Sequence, residues 1–156
     1  MHYASEIAET LSRNGFRRFQ LWRSGVGHLL LTGELAGRSL DIVLDTGAGK
    51  SFAELGYCRS EGIHVSDTGH AAAPMAGDAG TAATNVHTLG DARFVLEGMP
   101  VRSDGLFAID MARTNEKLAM QGVDPIRAVI GQDVLGNHQA LIDYATLALF
   151  LKEGPA

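Results

Sequence analysis

Residues 38–44 read Arg-Ser-Leu-Asp-Ile-Val-Leu, and they run straight into Asp45-Thr46-Gly47-Ala48. Successive side chains of an extended backbone point to opposite faces, so Leu40, Ile42 and Leu44 share one face while Asp41, Val43 and Asp45 share the other. A strand with one wholly apolar face must bury it, and that requirement fixes its register. Asp45 therefore reaches the end of a well-anchored strand, on a turn whose next residues are small. Asp41 lies on the opposite face from the apolar set and reads as solvated. Just upstream, residues 28–35 form a second strand-like run, separated from the first only by Ala36-Gly37. The pair predicts a hairpin.

The other segments are short. Ala4, Ile7, Ala8 and Leu11 follow the i, i+3, i+4, i+7 spacing of an amphipathic helix, and Gly15 sits where such a helix stops. Residues 1–16 are expected to form a lead-in helix docking on a single domain of residues 17–156. Phe19, Leu21 and Val26 suggest an irregular strand. Residues 52–61 have helical composition, with Gly62 as a stop. Residues 86–96 and 99–109 read as strands around Glu97-Gly98. Residues 111–121 read as a helix capped by Asp110 and stopped by Gly122. Ala128-Val129-Ile130 reads as a buried strand ending at Gly131, and residues 140–143 with 147–151 as a closing hairpin. Many short strands without alternating long helices predict a mostly β fold, closed or folded over, with a few short helices.

One stretch breaks this pattern. Residues 66–83 mix Gly69, Gly77 and Gly80 with many alanines, and Met75 is their only large apolar side chain. Such a segment cannot build its own core and reads as disordered or as a mobile hairpin lying over something else.

Composition narrows the function. The 156 residues suit one domain, and 46% apolar with 20% charged residues is a globular balance. The net charge of −5, with no basic block, argues against nucleic acid or an anionic membrane as partner. Apolar stretches such as residues 147–151 are too short to span a bilayer, and no signal-peptide pattern is visible, so a cytoplasmic location is expected. Cys58 is alone, which rules out an internal disulfide and fits a small residue on a packed helix. The six histidines show no i, i+4 pairing and have no cysteine partner, so neither metal nor cofactor is expected. Gly47-Ala48-Gly49-Lys50-Ser51 imitates the end of a phosphate-binding loop, but Leu44 occupies the place of that motif's first glycine. Lys50 then reads as a solvated residue at a helix start.

What carries chemistry is a combination in order along the chain. An apolar strand leads to Asp45-Thr46-Gly47-Ala48. A glycine-rich stretch follows, then Ala128-Val129-Ile130-Gly131, then Asp133-Val134-Leu135 and Leu141-Ile142-Asp143-Tyr144 before a last apolar strand. At these residues, over Leu29 to Leu151, the sequence resembles the retropepsin-like aspartic proteases, most closely their single-domain bacterial relatives. The resemblance implies a closed β-barrel of the acid protease half-fold type, with Asp45 as the catalytic acid. Thr46, Gly47, Ala48, Ile130 and Gly131 would support it, and Ala76, Gly77, Asp78, Ala79 and Gly80 would form the tip of a flap over the substrate. Thr46 would hydrogen-bond across a two-fold axis, and the Gly47 carbonyl would accept from the substrate main chain. Viral members have an arginine where Gln132-Asp133 stands, so their interface salt bridge does not carry over. Asp133 reads instead as a helix cap and Asp143 as a turn residue.

The chemistry agrees with the resemblance. Peptide hydrolysis needs an activated water and a proton donor for the leaving amine. Two carboxylates about 3 Å apart cannot both ionise and share one proton, as the dyads of aspartic proteases do. Asp-Thr-Gly occurs at 45–47 and again at 67–69, inside the glycine-rich stretch, but only the first ends a strand with an apolar face, so the second acid is expected from a second copy in an isologous homodimer. The implied activity is that of an aspartic endopeptidase acting on a peptide or protein. The alternative is a fold of the same kind used only for peptide binding or dimerisation. Ala48 has no hydroxyl to bond the charged carboxylate, and such a bond lowers a carboxylate pKa, so activity is expected to reach weakly acidic or neutral pH.

Overall fold

The computed structural model describes residues 2–71 and 85–154. In chain order they form α1 (His2–Arg13), β1 (Phe16–Gln20), β2 (Trp22–Arg23), β3 (Leu29–Leu35), β4 (Arg38–Leu44), β5 (Phe52–Glu54), α2 (Leu55–Ser60) and β6 (Ser66–Ala71). There follow β7 (Asn85–Thr88), β8 (Phe94–Leu96), β9 (Met99–Pro100), β10 (Phe107–Ile109), α3 (Ala112–Met120), β11 (Ala128–Ile130), α4 (Gln132–Asn137), β12 (Leu141–Asp143) and β13 (Ala148–Lys152). The architecture is mostly β, a sheet curled into a half-barrel with a few short helices. Its strands run β6-β7-β10-β5-β11-β4-β3-β8-β9, with β2 pairing β3 off this path.

The hairpin of β3 and β4 is the backbone of the molecule. Seven pairs, from Leu29 opposite Leu44 to Leu35 opposite Arg38, leave Ala36 and Gly37 as a two-residue loop. Both loop residues have positive φ, 49° and 76°, the type I′ geometry whose twist matches that of the flanking strands. The alternation expected in β4 is realised. Leu40, Ile42 and Leu44 enter the main core, while Val43 joins a smaller cluster with Ala48, Phe52 and Val129 on the other face.

Two segments differ from the sequence expectation, and the expected lead-in helix forms with its stripe at the edge of the fold. Residues 52–54 are strand rather than helix, because Phe52 and Ala53 fill a gap between β10 and β11; the helix starts only at Leu55, where the Glu54 carboxylate accepts from Tyr57 N at 2.6 Å. Residues 86–96 and 99–109 are not two long strands but four short ones, broken where Gly90 and Gly105 turn the backbone at φ 58° and 94°. The apolar stripe of α1 does not enter the core: Ala4, Ala8 and Leu11 are only half-buried and Ile7 is 42% exposed.

A second, three-stranded sheet has the order β1-β13-β12. Its central strand β13 is buried from Ala148 to Leu151 and paired along both edges. The β12–β13 turn is fastened by Asp143, which accepts from Ala145 N at 2.9 Å and Thr146 Oγ1 at 2.6 Å. No helix among the described residues is long and apolar enough to cross a membrane.

Candidate active site

The site is built where two strands that are remote in sequence run side by side. β11 lies parallel to β4, with Val129 opposite Val43 and Ile130 opposite Leu44. The ladder continues one step further, as Asp45 N donates to Ile130 O at 3.0 Å. Beyond it the chain turns on itself: Gly47 N donates to Asp45 Oδ1 at 2.8 Å, and Ala48 N to Asp45 O at 3.2 Å. Asp45, Thr46 and Gly47 are exposed, whereas Ala48 is buried at 5% beneath them. The acid is thus held at the surface by a turn that is rooted in the core.

Ile130 and Gly131 stand against this turn. Gly131 presses so close that a Cβ on it would lie 2.5 Å from Ala48 O and 2.8 Å from Lys50 O, so only glycine fits. Gln132 then clamps the turn twice: its main-chain N donates to Ala48 O and its Nε2 to Thr46 O, both at 2.7 Å.

Asp133 departs from expectation. The N-cap of α4 is Gly131, and Asp133 does not cap the helix with its side chain. Its carboxylate is buried at 7% and turns toward the Asp45 loop, where Oδ1 accepts from Ser51 N at 2.9 Å and Ser51 Oγ at 2.7 Å. Ser51 Oγ in turn accepts from Gly131 N at 2.9 Å. Sequence reasoning missed Ser51, Gln132 and Asp133 as parts of the site. Their one sequence signal is that a polar pair follows an apolar-apolar-Gly segment, and it names no partner 82 residues away. Lys50 is not at a helix start either. It precedes β5 and pairs with Asp104 at 2.9 Å, and that hydrogen bond is the first cause that lowers the Asp104 pKa. Asp41 is exposed, as expected.

A groove of about 400 Å³ opens at Asp45 and Thr46, with Val43, Phe52, Ile126 and Val129 among its walls and Ile142 and Tyr144 at its side. It shares His28, Val43 and Ile126 with a neighbouring cavity of about 510 Å³ that reaches Trp22 and Val26. The expected flap tip, Ala76 to Gly80, lies outside the described residues. The strands on either side of it are described: β6 pairs with β7 antiparallel, and β7 is tied through β10 to β5. No group of three or more metal-ligating side chains occurs among the described residues.

No family model and no curated protein sequence matches the chain. Solved structures do. The chain is similar to a retropepsin-like aspartic protease from Rickettsia conorii, with a TM-score of 0.54 and 14% identity over 88% of this chain and 89% of that one. It is also similar to the retroviral protease-like domain of Ddi1 from Leishmania major, with a TM-score of 0.52 and 19% identity over 82% of this chain and 94% of that one. The chain has the retropepsin-like fold. On this fold the Ile130-Gly131 segment is buried beside the Asp45 turn, and Asp45 and Thr46 line the groove. Asp-Thr-Gly occurs twice in the chain, on the turn after β4 at 45–47 and within β6 at 67–69, and the first is the one whose Asp and Thr line the groove.

Proposed function

We propose that the chain is one subunit of a homodimeric aspartic endopeptidase, with Asp45 as its catalytic acid. The observation that carries this reading is the placement of Asp45: exposed, at the mouth of a groove, on a turn fixed by β4, β11 and Gln132. A lone exposed carboxylate is a poor catalyst for amide hydrolysis, and a second Asp45 across a two-fold axis supplies what is lacking. One member of the pair, ionised, removes a proton from water as the oxygen attacks the scissile carbonyl. The other, protonated, hydrogen-bonds the carbonyl oxygen as negative charge develops there. The tetrahedral intermediate then collapses, and a proton passes to the departing amine. Peptide would lie in the groove, with the Gly47 carbonyl accepting from its main chain. Thr46 would hold the two turns together. The buried lone thiol of Cys58 is compatible with a cytoplasmic setting.

Asp45→Asn is the direct test. It preserves shape and the acceptor for Gly47 N, so the folded state should survive while turnover of a mixed peptide library falls to background. Retained hydrolysis by a homogeneous Asp45→Asn preparation rejects the mechanism. A wild-type protein that binds a statine-type inhibitor but cleaves nothing points to the peptide-binding module instead.

A further inference from the structure

Asp133 is a buried carboxylate with no role in the reaction just described. Among the described residues three groups hydrogen-bond it, and all are donors: Ser51 N and Ser51 Oγ on Oδ1, and Asp104 N at 3.2 Å on Oδ2. Because Asp133 Oδ1 takes the Ser51 hydroxyl proton, the lone pairs of Ser51 Oγ point elsewhere, and one of them receives Gly131 N. Direction is therefore imposed along the chain of bonds, from Gly131 N–H to Ser51 to Asp133. Gly131 carries on its flanks the two groups that hold the acid: Ile130 O, which receives Asp45 N, and Gln132, which binds Ala48 O and Thr46 O.

We propose that Asp133, acting through Ser51, is a positioning residue for Asp45: it fixes the approach of β11 and α4 to the Asp45 turn, and so the direction in which the catalytic carboxylate points. This rests on the reading of Asp45 as the catalytic acid. Two acids must meet within hydrogen-bond reach, and small displacements of such groups are costly to turnover. A carboxylate anchored only through its own turn would be free to shift along the groove. Ser51, at 0% exposure, has no contact with solvent that could substitute for Asp133.

Ser51→Ala removes one oxygen, and Asp133→Ala removes the acceptor. Each is expected to lower kcat by about tenfold or more with KM within about twofold, because the groove walls are untouched. Asp133→Asn keeps an oxygen for Ser51 and should restore most of the lost kcat. If Ser51→Ala and Asp133→Ala keep wild-type kcat, or change only KM, the proposal is overturned. If the wild-type protein cleaves no peptide, the endopeptidase reading fails, and the positioning claim is read from amide hydrogen exchange. Exchange at Asp45 N and Gln132 N should then accelerate in Ser51→Ala while that of Leu31 and Ile42 in the core is unchanged. Equal exchange at Asp45 and Gln132 in variant and wild type overturns it.

Discussion

Gly131 is the residue at which the site has least tolerance. Its missing side chain lets two carbonyls of the Asp45 loop come within van der Waals range, and both belong to main chain that cannot swing aside. Gly131→Ala is expected to lose about 3 kcal/mol of stability, at the upper end of overpacking effects, and to lower activity more than stability alone explains. Urea unfolding alongside peptide turnover checks this. Cys58 is inert for a different reason. It is fully buried on α2, and burial first, then the neighbouring Glu54 carboxylate, push its thiol up to about 11 from an ordinary value of 9.0. The folded protein should resist a thiol reagent at pH 8 and react fully once unfolded. The same shift has a stability consequence. The folded state keeps its proton between pH 9.0 and about 11 while the unfolded chain loses it, so stability should fall as pH rises through that window.

At the scale of elements, the β3–β4 hairpin decides where Asp45 goes, yet its turn is not the best its geometry allows. Ala36 holds a left-handed φ of 49° with a Cβ attached, which costs about 1 kcal/mol relative to a residue that tolerates it. Ala36→Asn gives the Asn-Gly pair favoured in type I′ turns, and calorimetry should show a melting temperature higher by about 3 °C. Failure of this substitution to stabilise would mean that the loop does not limit the hairpin. Pairing likewise explains why residues 52–54 escaped a reading from composition. Their strand state comes from β10 and β11, whose residues lie more than fifty positions downstream. The turns at Ala36-Gly37 and Glu97-Gly98 were legible because the strands they join are neighbours in sequence and each carries a glycine that takes a positive φ.

On the scale of the whole molecule, the reading proposed above makes activity a property of two chains. At subunit concentrations below the dissociation constant, specific activity should fall with dilution, and sedimentation equilibrium should show monomer over the same range. Mixing wild-type protein with excess Asp45→Asn subunits should suppress turnover as mixed dimers form. Activity unchanged by dilution to monomer rejects the dimeric site. The second sheet limits how the copies meet. β13 is paired on both sides, so a partner strand cannot insert beside it, whereas Ile142 of β12 and Tyr144 just after it line the groove, Tyr144 at 61% exposure. On the dimeric reading a partner approaching Asp45 meets Tyr144, and Tyr144→Arg is expected to weaken self-association by at least about 1 kcal/mol without unfolding the subunit.

Alternation and turn residues were enough to set a mostly β fold and the hairpin that carries Asp45, and the resemblance over Leu29 to Leu151 added the retropepsin-like type and the segment that lies beside the Asp45 turn. These are local properties: a period-two apolar face and a tight turn are encoded within ten residues of each other. The sequence could not show that Asp133 faces Ser51, that Gln132 holds Thr46 or that the stripe of α1 stays outside the core. The first two depend on which distant backbone comes within 3 Å of a polar atom, and the parallel packing of β11 on β4 brings those groups together. A carboxylate reads the same in sequence whether it caps a helix or is buried among donors; only its neighbours in space distinguish the two.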